Sequence, residues 1–109
     1  MAQEPLTGLS ASVHQRLIRV FTGFPKVEKV ILYGSRAKGV HQPSSDIDLT
    51  LLGPELTLKD QFRIEEALDD LLLPVKIDCS VFDKIDNPAL REHIERVGKV
   101  VYEREEQEK

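Results

Sequence analysis

The chain has 109 residues, a formal net charge of -4 at pH 7 and one cysteine. That length holds one modest hydrophobic core, and it is too short for a catalytic module plus a separate substrate domain, so one domain over residues 1–109 is expected. The acidic balance argues against general nucleic-acid binding, a single cysteine excludes an intramolecular disulfide framework, and there is neither a basic–apolar leader nor an apolar run of membrane length, so a cytoplasmic protein is expected.

Taken in chain order, Leu6, Leu9, Val13, Leu17, Val20 and Phe24 recur at helical spacing and predict an amphipathic helix that Gly23 and Pro25 end. Lys29-Val30-Ile31-Leu32-Tyr33 is an apolar, β-branched run that reads as a buried strand stopping at Gly34. Arg36-Ala37-Lys38 can begin a short helix with Ser35 as its cap. From Asp46 polar and apolar residues alternate through Leu51, so a second strand places Asp46, Asp48 and Thr50 on one face and Ile47, Leu49 and Leu51 on the other.

Thr57, with Asp60 three residues on, caps a helix whose apolar side is read as Leu58, Phe62, Leu68, Leu71 and Leu72, until Pro74 stops it. Val75 to Phe82 alternates again, with Val75, Ile77, Cys79 and Val81 on the apolar face and Asp78 on the polar face beside Lys76 and Ser80. Asn87-Pro88 starts a last helix with the stripe Leu90, Ile94 and Val97, Gly98 terminates it, and Lys99 to Glu103 forms a closing strand before a charged tail. Leu6, Phe21, Phe24 and Leu90 together exceed what a small sheet can cover, which leaves some of them for an interface.

The chemistry concentrates where the first two strands end and begin. Glycine at position 34 permits a tight turn and close approach of phosphate to main-chain N–H groups, Ser35 adds a hydroxyl, and Arg36 and Lys38 add positive charge. Beyond ten intervening residues after Ser35, Asp46 and Asp48 converge on one strand face, where two carboxylates repel unless a hard divalent cation such as Mg²⁺ lies between them. Asp78 offers a third carboxylate on the next strand, whereas Asp83 has the opposite parity.

Blander roles exist for each: Asp46 and Asp48 as edge-strand charges, Asp78 as a solvated partner of Lys76. Cys79 reads as a small core residue, Glu65, Glu66, Asp69 and Asp70 as a solvated helix face, and His41 as a solvent-facing loop residue; His14 and His93 sit on helices without a role. A Walker P-loop fails because Val40-His41 stands where Lys-Ser or Lys-Thr is required, and a lone cysteine with three scattered histidines builds no structural zinc site.

The run Leu32-Tyr33-Gly34-Ser35-Arg36-Ala37-Lys38-Gly39, followed by Ser45-Asp46-Ile47-Asp48-Leu49 and the later strand aspartate, resembles the DNA polymerase β-type nucleotidyltransferase superfamily, and within it the minimal nucleotidyltransferases, MNT. The likeness extends from about Val13 to Glu103. It implies an α/β (α+β) nucleotidyltransferase fold, a small mixed β-sheet backed by helices. It also implies nucleotide binding by Gly34 and Ser35 and two Mg²⁺ ions on Asp46, Asp48 and Asp78; Arg36, which matches the family pattern closely, and then Lys38, on its charge alone, are the further candidate phosphate contacts. The implied reaction moves AMP from ATP to a hydroxyl, with Asp78 as proton acceptor. The implied partner is a HEPN-domain toxin whose tyrosine is modified, in a toxin–antitoxin pair. A non-catalytic, nucleotide-binding antitoxin that masks its partner is the alternative. Transfer to a small molecule, as in aminoglycoside nucleotidyltransferases, is disfavoured because no second domain is present to hold it.

Overall fold

A computed structural model of the chain describes residues 9–40, 42 and 44–104. Leu6, His41 and the end of the charged tail lie outside the described residues. The elements run α1 (Ala11–Thr22), β1 (Lys29–Tyr33), α2 (Ser35–Lys38), β2 (Ile47–Leu52), α3 (Leu58–Asp69), β3 (Ile77–Val81), a 3₁₀ turn (Phe82–Lys84), α4 (Pro88–Val97) and β4 (Lys99–Glu103). The strands form one mixed sheet in the order β3-β2-β1-β4. β1 is antiparallel to both β2 and β4, while β2 and β3 are parallel, which requires a crossover that α3 supplies.

Local signals account for the element ends. Ser10 Oγ accepts from the Val13 N–H at 3.1 Å and starts α1 at Ala11, later than the apolar spacing alone suggests. At α3 a complete capping box forms: Thr57 Oγ1 accepts from the Asp60 N–H at 3.1 Å and Asp60 Oδ2 accepts from the Thr57 N–H at 2.9 Å. Asn87 Oδ1 accepts from the Ala89 and Leu90 N–H groups, with Pro88 opening α4.

Strand alternation divides the sheet into two faces. One carries Val30, Leu32, Ile47, Leu49, Leu51, Cys79 and Val81, all buried against α1 through Leu17 and Phe21 and against α3 through Ile64 and Leu68. Phe21 is wholly inside this core and Phe24 packs on its edge, so neither is left over for an interface. The apolar face of α3 differs in part from expectation: Leu68 faces the core and Leu71 packs against it as expected, but they are joined by Ile64, one turn before Leu68, whereas Leu58 and Phe62 are each 56% exposed and Leu72, past the helix end, is 86% exposed. Ile64, Leu68 and Leu71 stand at i, i+4 and i+7, so the core-facing stripe has helical spacing and Leu58 and Phe62 lie off it.

The fourth helix lies on the other face. Ile94 is buried there, apart from the main core, and the Gly98 Cα comes so close to Ile31 Cγ2 that a Cβ at 98 would collide with it. The sheet is therefore covered by helices on both sides, with α4 shielding Ile31 and leaving the end that carries Tyr33, Asp48 and Asp78 accessible. Among the described residues no helix is long and apolar enough to cross a membrane.

Candidate active site

β1 ends at Tyr33 and the chain reverses at Gly34, whose φ of 78° and ψ of -156° fall where only glycine is comfortable. Gly34, rather than Ser35, occupies the cap position of α2, and Ser35 is its first helical residue. The first bond within α2 joins the Lys38 N–H to the Gly34 carbonyl at 3.1 Å, so the N–H groups of Ser35, Arg36 and Ala37 precede the helical ladder. Glycine has a second reason to be here: a Cβ on residue 34 would collide with Asp48 Oδ2. The turn expected to hold phosphate and the carboxylate expected to hold a cation thus share one small volume.

Backbone pairing explains how Asp48 arrives. It stands opposite Tyr33 on β1 and in register with Asp78 on β3, so the sheet lays Tyr33, Asp48 and Asp78 across three adjacent strands. Asp48 is half-buried and Asp78 exposed. Asp46 is exposed and precedes β2, whose ladder opens with the Ile47 N–H donating to the Lys76 carbonyl at 2.9 Å. The expected alternation of Asp46, Asp48 and Thr50 along one strand face therefore holds from Asp48 onward. Thr50 is wholly buried and its Oγ1 accepts from Ser80 Oγ at 3.1 Å, so the polar face of β2 is wet only at its Asp48 end.

The electrostatics follow from this placement. Burial first, then the neighbouring Asp78 and Asp46 carboxylates, raise the Asp48 pKa above its ordinary value, with His93 opposing them. Tyr33 is also raised, chiefly by burial, with the Ser80 hydroxyl opposing and Asp48 and Asp78 adding to the shift. Among the described residues, no group of three or more acidic, histidine or cysteine side chains is gathered closely enough to hold a metal ion. Asp46, Asp48 and Asp78 are near enough to interact electrostatically but do not form a closed cage.

The basic residues divide. Lys38 is exposed at the end of α2. Arg36 is half-buried and directs Nε and Nη2 to the Ser45 carbonyl at 3.1 and 3.0 Å, so its guanidinium grips the loop between the motif halves. Cys79 lies in the core with its thiol pushed up to about 12, mainly by burial and then by Glu65 and Asp78, consistent with an inert residue.

Tyr33 and His93 join the site without having been expected there. Their rings meet edge to face, 6.2 Å between centroids and 82° between planes, and His93 is close enough to Asp48 to favour its ionised form. The parity of β1 could have flagged Tyr33, since Val30 and Leu32 take the opposite face. Nothing local could have flagged His93, because its place depends on which face of the sheet α4 covers.

Comparison with known proteins agrees with this geometry. A family profile described as "Polymerase beta, Nucleotidyltransferase" matches residues 15–107. A solved structure of a protein proposed to be a minimal nucleotidyltransferase is 30% identical, with a TM-score of 0.64 over 81% of this chain and 91% of that one. A toxin–antitoxin crystal structure with AMP-PNP superposes with a TM-score of 0.69 at 20% identity, covering 84% of this chain and 73% of that chain. A tri-AMPylated HEPN toxin from Shewanella oneidensis in complex with its MNT antitoxin gives 0.62 at 18% identity, covering 84% and 70%. No match is found among curated protein sequences. With the profile spanning most of its length, and the mixed sheet presenting the Gly-Ser turn against strand aspartates, the chain belongs to the polymerase β nucleotidyltransferase family.

Proposed function

We propose that this chain is a Mg²⁺-dependent nucleotidyltransferase that moves AMP from ATP to a hydroxyl on a partner protein, with a tyrosine of a HEPN-domain toxin as acceptor and the chain as antitoxin. The observation that carries the reading is the fit of the Asp48 carboxylate into the space left by the missing Gly34 Cβ. It brings a half-buried acid directly beneath the turn suited to a triphosphate. The AMP-PNP and tri-AMPylated HEPN toxin in the similar structures support the donor and the acceptor.

The Gly34–Ser35 turn binds the triphosphate through its early N–H groups and the Ser35 hydroxyl, with Lys38 adding charge from α2. Asp48 and Asp78, in register on adjacent strands, and Asp46 just before the strand are the residues that would hold Mg²⁺. The donor set suits it: all are hard oxygen ligands, and burial followed by the neighbouring Asp78 and Asp46 charges raises Asp48, a cost that a divalent cation would relieve. An open arrangement also suits an ion that keeps waters and takes substrate phosphate oxygens alongside one or two carboxylates. When bound, such ions lower the acceptor hydroxyl's pKa and neutralise the departing pyrophosphate. Asp78, exposed on the edge strand, accepts the proton of the incoming hydroxyl, which attacks the α-phosphorus in line.

The test is the intact mass of the HEPN partner after incubation with this chain, ATP and Mg²⁺, with the Asp46→Asn, Asp48→Asn double variant as control. A gain of one or more AMP units that the double variant abolishes is expected. No gain, with both versions still forming a stable complex, would replace the transferase with an antitoxin that acts by masking.

A further inference from the structure

Arg36 stands where the sequence suggests a phosphate contact, yet its geometry is that of a clamp. Both Nε and Nη2 converge on one acceptor, the Ser45 carbonyl, at 3.1 and 3.0 Å. Ser45 is itself the hub of a tight loop: its Oγ accepts from the Gln42 N–H at 2.9 Å and its own N–H donates to the Gln42 carbonyl at 2.9 Å. The next residue is Asp46, which lies before the β2 ladder and so lacks its support. On the C-terminal side, the nearest anchor is the Ile47 N–H bonded to the Lys76 carbonyl at 2.9 Å. Asp46 is thus suspended between two backbone anchors, one belonging to the sheet and the other held by a side chain of α2.

We infer that Arg36 is a positioning residue: by gripping the Ser45 carbonyl it fixes the backbone from which Asp46 projects, and so sets Asp46 relative to the Gly34–Ser35 turn. The inference rests on the proposed transferase reading, because only there must a carboxylate and a phosphate turn keep a set separation. The fork geometry of a guanidinium is what the contact uses, so lysine, which keeps the charge, cannot replace it. A phosphate ligand behaves in the opposite way, since lysine serves phosphate well as a point charge.

The experiment separates the two roles by measuring binding rather than turnover. AMP-PNP affinity is determined in EDTA, and Mn²⁺ affinity is determined by electron paramagnetic resonance with AMP-PNP saturating, for wild type, Arg36→Lys, Arg36→Gln and Asp46→Asn, and for each Arg36 variant combined with Asp46→Asn. Circular dichroism identifies folded variants. Both Arg36 substitutions should leave metal-free nucleotide affinity within about twofold and weaken Mn²⁺ about ten- to a hundredfold, the usual range for residues that orient metal ligands. In the Asp46→Asn background they should cause no further loss. Weaker nucleotide binding in EDTA, retained by Arg36→Lys, would overturn the inference in favour of a phosphate ligand. So would a Mn²⁺ loss of equal size with or without Asp46. Failure of the wild type to bind Mn²⁺ with AMP-PNP would instead sink the transferase reading itself.

Discussion

Replacing Gly34 with alanine tests the heart of the site, because two separable costs meet at that residue. The first is backbone strain: φ of 78° with ψ of -156° lies in a region essentially reserved for glycine, and forcing an L-residue there costs about 1–3 kcal/mol. The second is steric, since the new Cβ collides with Asp48 Oδ2; overpacking of this kind costs about 1–3 kcal/mol, reduced where the side chain can swing aside. A combined loss of about 2–4 kcal/mol is expected, which for a domain near this size lowers Tm by roughly 8–20 °C. The two parts can be resolved with Asp48 variants measured by urea unfolding. Asp48→Ala removes the obstructing oxygen, so Gly34→Ala in that background should cost only the backbone part. Asp48→Asn keeps an atom in the same place and should leave the full cost. A coupling of about 1 kcal/mol or more is expected between Gly34→Ala and Asp48→Ala. Equal costs of Gly34→Ala in all three backgrounds would refute the idea that Gly34 is required to make room for Asp48.

Further outcomes follow from the same structure. Because the Asp48 pKa is raised, the folded chain binds a proton more readily than the unfolded one, so the stability this group contributes is full below the ordinary carboxylate pKa and is lost as pH rises through the raised value. In EDTA, Asp48→Asn should therefore melt above wild type at neutral pH and converge with it in acid; a difference that does not vary with pH would contradict the assignment. Cys79, buried with its thiol pushed up to about 12, should resist a disulfide-exchange reagent in the native protein and react fully in denaturant, and stoichiometric native labelling would show that strand β3 opens readily. Thr57→Ala removes one half of the α3 capping box and should cost about 1 kcal/mol in urea unfolding, with no loss implying that the cap contributes nothing net.

Much of the fold was legible because its signals are local. The two-residue alternation of Ile47 to Leu51 and the caps at Thr57 and Asn87 each act within a few bonds of themselves. The candidate site is read from the same kind of signal: Gly34 and Ser35, then Asp46, Asp48 and Asp78, are separated by loops and strands whose lengths can be counted, and the structure brings Gly34, Asp48 and Asp78 together. The contact between Arg36 and Ser45 was not legible, because the acceptor, the Ser45 carbonyl, is a backbone atom that any residue would offer.

Spacing, polarity and turn chemistry alone determined that this chain builds strands which end in a phosphate-type turn and carry aspartates on one face. Only the tertiary structure decided that α4 lies on that face, so that His93 meets Tyr33 beside Asp48, and that Thr50 is sealed from water. It also decided that Ile64 joins Leu68 toward the core while Leu58 and Phe62 stay exposed. The physical reason is range: periodicity states which residues share a face, but the partner of that face is chosen by pairing and packing between segments far apart in the chain, where the register of β2 against β1 and β3 brings Asp48 to Gly34 and Asp78.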